Sequence, residues 1–149
     1  MSDASQLNIR PIRPDDAEAV SELVTQLGYA RTPDQVRRWV YDLDFWPKQA
    51  AFVAELNAEV VGWVELSLEH HLQSEVFALI GGLVVKDGMR SGGIGKRLCE
   101  QAEEWSRRQG AKKIRVTSRS TREAAHRFYL RDGYRQTKVS MVFEKPLES

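Results

Sequence analysis

The chain has 149 residues, of which 42% are hydrophobic and 29% charged, with a net charge of +1. That composition predicts one globular, soluble domain with a full core, and it excludes a disordered chain. The near-neutral charge supplies no bulk attraction to nucleic acid or to an anionic membrane.

One cysteine, Cys99, rules out an intrachain disulfide and suits a reducing cytoplasm. Its place in a helical pattern predicts a small buried residue. Residues 1–6 are polar without an apolar signal core, and no run is long enough to span a bilayer. No repeat, low-complexity tract or linker divides the chain.

Residues 7–10 alternate weakly and read as a strand, ended by Pro11 and Pro14. Asp15 with Glu18 predicts a helix start with acidic residues in its first turn. Val20, Leu23, Val24 and Leu27 then form an apolar stripe, and Gly28 ends it. Thr32-Pro33-Asp34-Gln35 is a second start signal, with an N-cap, a proline at the first helical position and a glutamine to close the capping box. Val36, Trp39, Val40 and Leu43 follow as its buried face. The aromatic cluster of Trp39, Phe45 and Trp46 reads as core or as a subunit contact.

Residues 51–55 predict a strand, 57–59 a tight turn, and 60–68 a returning strand with Glu65 outward. Residues 70–74 connect to an apolar strand over 77–85. Gly81-Gly82 in its middle predicts a bulge, or a close approach of backbone or ligand. A glycine-rich turn follows, Arg90-Ser91-Gly92-Gly93-Ile94-Gly95, and opens a helix over 94–109 with Ile94, Leu98, Ala102 and Trp105 on one stripe. Glu103 with Arg107 and Glu104 with Arg108 are ion pairs at i,i+4 on the wet side. Residues 114–117 are the next strand. Ser120 with Glu123 predicts a capping box for a helix carrying Ala124, Ala125, Phe128 and Tyr129, closed by Gly133. Residues 134–139 and 141–145 read as a terminal strand pair. The order is β-α-α-β-β-β-α-β-α-β-β, which implies an α/β (α+β) fold with a mixed sheet covered by helices.

A strand that feeds a glycine turn opening a helix suits a phosphate, because backbone N–H groups and the positive helix end converge there. Taken alone, the turn reads equally well as a flexible connection. A Walker A loop fails twice, since Arg90 replaces its first glycine and Arg97 its magnesium-binding hydroxyl. A dinucleotide fingerprint lacks its third glycine, because Leu98 stands there. The pattern Arg/Gln-x-x-Gly-x-Gly/Ala is met by Arg90, Gly93 and Gly95.

With the downstream segment Arg127-Phe128-Tyr129-Leu130-Arg131-Asp132-Gly133-Tyr134, this turn resembles the GNAT superfamily of N-acetyltransferases. The resemblance runs from about Leu7 to about Glu144, so it implies a single N-acetyltransferase domain over 1–149, with a mostly antiparallel mixed sheet. It implies acetyl transfer from acetyl-CoA to a primary amine of a small molecule or peptide. The backbone from Arg90 through Ser91, Gly92, Gly93, Ile94 and Gly95 to Lys96 would cradle the CoA pyrophosphate, and Leu83, Val84 and Val85 would pair with the pantetheine arm. Tyr129 matches the tyrosine that faces the CoA sulfur. A phenol, with a pKa of about 10 against about 8.5 for a thiol, donates a hydrogen bond to the thiolate rather than a whole proton.

The family asparagine seven residues before that tyrosine is Arg122 here, placed to reach a CoA phosphate. The family's strand glutamate falls on Leu79, which cannot take a proton. Glu75, Glu65, His70 and His71 stand near the strand ends, with Glu75 as the catalytic candidate, and the expected route is water-mediated proton loss with no single essential base. His70-His71 on a strand would point to opposite faces, so no metal is expected. The family's acceptor pocket involves the region after the second helix, which suggests an aromatic, partly apolar acceptor. Two alternatives are an acyl-CoA sensor with little catalysis and a protein lysine or N-terminal acetyltransferase. Terminal strands and tryptophans make a cytoplasmic homodimer reasonable.

Overall fold

The computed structural model describes residues 6–89, 92–118 and 122–147, in two compact units, Met1–Thr117 and Ser118–Ser149. The larger unit is a five-stranded sheet in sequence order. Its strands are β1 (Leu7–Pro11), β2 (Gln49–Leu56), β3 (Glu59–Glu69), β4 (Phe77–Val85) and β5 (Lys113–Val116). β1 to β4 pair antiparallel and β4–β5 parallel. Helices α1 (Ala17–Leu27) and α2 (Pro33–Asp42) cover one face, and α3 (Ile94–Arg108) covers the other.

Each face has its own core. Leu98 and Ala102 of α3 pack with Phe52, Val64, Leu66 and Ile80. Val20, Leu23, Val36 and Val40 pack with Val53 and Trp63. Strand alternation divides β3 between them, with Val64 and Leu66 toward α3 and Trp63 and Glu65 toward α1 and α2.

The helix signals differ in outcome. Thr32 caps α2 with the full capping box, its hydroxyl accepting from Gln35 N–H at 3.1 Å. Gly28 ends α1 at φ 119°, as the stripe predicts. The predicted start at Asp15 with Glu18 holds for the acidic first turn, where Glu18 lies, but not for the cap: a short 3-10 turn, Pro14–Asp16, precedes α1, and no side chain caps that helix. Asp16 is instead buried. It accepts two hydrogen bonds from Arg10 at 2.8 Å and one from Arg13 N–H at 2.7 Å. A forked guanidinium outcompetes a helix end for that carboxylate.

The predicted bulge is present. The β3–β4 register shifts at Glu65/Leu66, pairing Glu65 with Gly82 and Leu66 with Ile80, so Gly81 is the extra residue. A Cβ on Gly82 would stand 2.7 Å from the Trp63 ring, so the indole requires bare backbone there.

The smaller unit holds α4 (Glu123–Arg131). Its predicted cap, Ser120, lies outside the described residues. Gly133 (φ 91°) closes the helix, and Tyr134 N–H donates to Tyr129 O at 2.9 Å. The predicted terminal strand pair is not formed: residues 135–147 carry no strand, and Val139, Met141 and Phe143 are exposed. Their alternation suits a strand, but a ladder needs a partner backbone, and the sequence pattern does not supply one.

Candidate functional site

β4 runs alongside β5 only from Phe77 to Ile80, opposite 113–116. Beyond Ile80 its second edge has no strand beside it among the described residues. Lys86 N–H donates to Val61 O at 2.8 Å, toward β3. Antiparallel alternation then turns Val84 toward Trp63 as well, and aims the backbone groups of Leu83 and Val85 at the open edge. Gln26 of α1 donates to Val85 O at 2.7 Å, and its oxygen accepts from Asp87 N–H at 3.0 Å. Leu83 therefore presents both an N–H and a C=O along that edge. Of the three residues that the resemblance assigns to pantetheine, two have this orientation and Val84 does not.

The edge leads to the glycine turn. Arg90 and Ser91 lie outside the described residues. Gly92 and Gly93 are exposed, and Gly93 holds φ 76°, a left-handed position that favours glycine. Ile94 and Gly95 begin α3 and are buried, whereas Lys96 is exposed. The first helical return is Arg97 N–H to Gly93 O at 3.1 Å, so the amides of Ile94, Gly95 and Lys96 have no partner inside the helix. A Cβ added at Gly92 or Gly93 would meet nothing closer than 4.0 Å among the described residues and the helix dipole is positive here, which suits a phosphate group.

The proton-handling candidates are scattered. Glu75 is exposed in the connection before β4. His70 and His71 lie beyond the end of β3 rather than on it. The His71 ring meets a Glu69 oxygen at 3.0 Å and stacks on Phe77. The hydrogen bonds from His71 and Ser67 hold the Glu69 carboxyl below its ordinary range. Glu65, predicted outward, is half-buried, and burial pushes its carboxyl above the ordinary range. Leu79 is half-buried on β4, paired with Ser67.

An open pocket of about 270 Å³ lies at the end of α2, lined by Trp39, Asp42, Leu43, Trp46 and Gln49. Phe45 and Trp46 are exposed, not core. Sequence reasoning found the aromatics but missed Asp42 and Gln49, which only the fold brings beside them. Gln26 was missed too, as a polar residue flanking an apolar stripe. In the smaller unit Tyr129 is buried, edge-on to Phe128 at 5.4 Å and to Tyr134 at 5.7 Å. Arg122 precedes α4 and is exposed. Cys99 is fully buried.

An open strand edge leading into a helix-opening glycine turn is a geometry suited to an extended, phosphate-bearing ligand. The family model described as "Acetyltransferase (GNAT) family" matches residues 18–134, and the chain belongs to that family. An aminoalkylphosphonate N-acetyltransferase from Salmonella typhimurium is 42% identical over 82 residues, covering 54% of this chain and 53% of that protein. The chain thus matches about half the length of that relative. An aminoglycoside N(6')-acetyltransferase type 1 from Stenotrophomonas maltophilia is 27% identical over 97% of both chains. Among solved structures, an aminoglycoside N-acetyltransferase AAC(6')-Iy in complex with CoA superposes with a TM-score of 0.84 at 17% identity, covering 93% of this chain and 94% of that one. At that identity the likeness establishes the fold.

Proposed function

We propose that the protein transfers the acetyl group of acetyl-CoA to a primary amine of a small molecule. The observation that carries this reading is the open β4 edge at Leu83, followed by the amides at the start of α3 that have no partner inside the helix. Pantetheine would lie along that edge as an added strand, and the amides of 94–96 would take the pyrophosphate. The Leu83 N–H would then be the donor that stabilises the oxyanion formed on the thioester carbonyl. Arg90, Ser91 and Arg122 would add charge and hydrogen bonds to the phosphates, and Tyr129 would donate a hydrogen bond to the departing thiolate. Glu75 is exposed in the connection leading to β4, where it would take a proton through water.

The pocket beside α2 supports a cationic acceptor. A carboxylate beside indole rings suits a protonated amine, through charge and through the ring faces. Both curated relatives are named for amine acceptors that are small molecules, which supports the same class. The reading includes a homodimer in the cytoplasm, with exposed Phe45 and Trp46 as available contact surface.

The test is thiol release from acetyl-CoA across aminoalkylphosphonates, aminoglycosides, polyamines, amino acids, arylalkylamines and short peptides. Release with a small amine and not with peptides is the expected result. Release with peptides alone would move the reading to a protein acetyltransferase. No release with any amine, together with an acetyl-CoA-dependent rise in melting temperature, would favour the sensor.

A further inference from the structure

Two acidic side chains of the sheet unit are treated very differently by the fold. Asp16 is buried and fully engaged by Arg10 and by Arg13 N–H. Glu65 is half-buried, yet its carboxylate has no hydrogen-bond or ion-pair partner among the described residues. An uncompensated carboxylate in a shielded place costs stability, and a purely structural site would supply a partner. Burial has raised its proton affinity, the direction that suits a group exchanging protons near neutral pH.

The surroundings of that carboxylate are open in one direction. Gly81, the extra residue of the bulge, is exposed, and a Cβ there would stand 3.6 Å from Glu65 Oε2. The acid therefore rests against bare backbone and is reached over Gly81. Its cross-strand neighbour on β2 is Ala51, and the next pair along the same face is Gln49 with Ser67. Gln49 lines the pocket of Trp39, Asp42 and Trp46. Two residues of strand are about 7 Å, so pocket and carboxylate adjoin. The β4 bulge at Gly81 lies two residues before Leu83 and its open backbone groups.

We propose that Glu65 is the catalytic base, receiving the proton of the acceptor's ammonium as the amine moves from the α2 pocket toward the β4 edge. The assignment rests on the acetyltransferase reading and replaces loss of that proton to bulk water with one named acceptor. The ammonium gives one proton to the Glu65 carboxylate, directly or through one water. The free amine then attacks the thioester carbon, forming C–N and breaking C–S. The second nitrogen proton goes to the departing thiolate, giving CoA thiol, and Glu65 returns its proton to solvent. Other charged groups near this face are otherwise placed. Glu69 is bound by Ser67 and His71, the Arg115 guanidinium lies over the Phe77 ring, and Asp42 and Glu22 are exposed on the helices.

The experiment compares kcat/KM against pH for wild type and Glu65→Gln with an accepted strongly basic amine. The same amine with a trifluoromethyl group on the carbon that bears the nitrogen, and so largely neutral at pH 7, is run in parallel. Glu65→Gln should lower kcat/KM about 100-fold or more for the basic amine. It should change the fluorinated one by less than about threefold, with the acid limb of the profile lost. An equal loss with both amines, or no loss, would overturn the assignment. Gly81→Ala is the second variant, and it holds if Glu65→Gln does not fold. Its methyl group further desolvates the carboxylate, so the acid limb should move to higher pH, and an unmoved limb would also overturn the assignment. A wild-type chain that binds acetyl-CoA but acetylates no amine defeats the acetyltransferase reading itself. An active wild type with an equally active Glu65→Gln defeats the base assignment alone.

Discussion

Replacing Gly82 by alanine drives a methyl group into the Trp63 indole, 2.7 and 2.8 Å from two ring carbons. Trp63 is 6% exposed and wedged in the core beneath α1 and α2, so neither the ring nor the β4 backbone can yield freely. Overpacking of this kind costs about 1–3 kcal/mol. Alanine recovers about 0.5 kcal/mol by stiffening the unfolded chain. The net loss is about 0.5–2.5 kcal/mol, which for a chain of this length lowers the melting temperature by roughly 1–10 °C. Gly81 is the internal control. A Cβ there meets only Glu65, at 3.6 Å, an ordinary contact, so Gly81→Ala should stay within about 0.5 kcal/mol of wild type. Thermal melts followed by circular dichroism, with urea unfolding to confirm an unchanged slope, measure both. If Gly82→Ala melts with wild type, or the two variants fall together, the account of the bulge as a seat for the indole is wrong.

Asp16→Ala leaves the Arg10 guanidinium, whose side chain is 13% exposed, with Glu55 at 3.4 Å as its remaining ion-pair partner, and should cost about 3 kcal/mol in urea unfolding. Burial opposes the Asp16 charge, but Arg10 and Arg13 outweigh it and hold the carboxyl below its ordinary value of 3.8. Its contribution is therefore complete above about pH 4 and is lost as pH falls through the depressed folded value; Asp16→Ala should flatten the acid limb of a stability–pH curve. Gly93→Glu places a side chain at φ 76° inside the proposed phosphate cradle, and should abolish the rise in melting temperature that acetyl-CoA produces. A full shift in that variant would move the phosphate site elsewhere. Tyr129→Phe should lower kcat about 10- to 100-fold while leaving acetyl-CoA affinity within about twofold, the signature of a hydrogen bond made to a developing thiolate. Unchanged kcat would remove the tyrosine from the chemistry.

Local chemistry was legible in the sequence wherever it acts within a few residues. The capping box at Thr32 and Gln35, the left-handed stops at Gly28 and Gly133, and the bulge at Gly81-Gly82 each announce themselves through residue type alone. What required the fold is non-local. Nothing near Asp16 in sequence marks it as a buried acid until Arg10 is brought over it. Glu65 reads as outward because strand alternation cannot show that half of its surroundings are covered. The apolar alternation after Tyr134 looks like strand, since a sequence pattern records what a strand needs and not whether a partner is present. The candidate site divides the same way. The glycine turn was visible as a motif, whereas the orientation of Leu83, the Gln26 clasp on Val85 and the approach of Gln49 to the pocket of Trp39 depend on register and helix placement.

The order of the sheet has a consequence for how the chain is made. Strands β1 to β5 lie side by side in the order in which they occur in sequence, so no strand must wait for a later one to be inserted between it and its neighbour. During synthesis each new strand can dock on an edge that has already emerged, with α3 completing the second core before β5 is reached. Growth by addition at one side leaves the outer edge of β1 unchanged and moves only the growing edge at each stage. It spares the chain the long-range threading that slows folding in sheets of scrambled order.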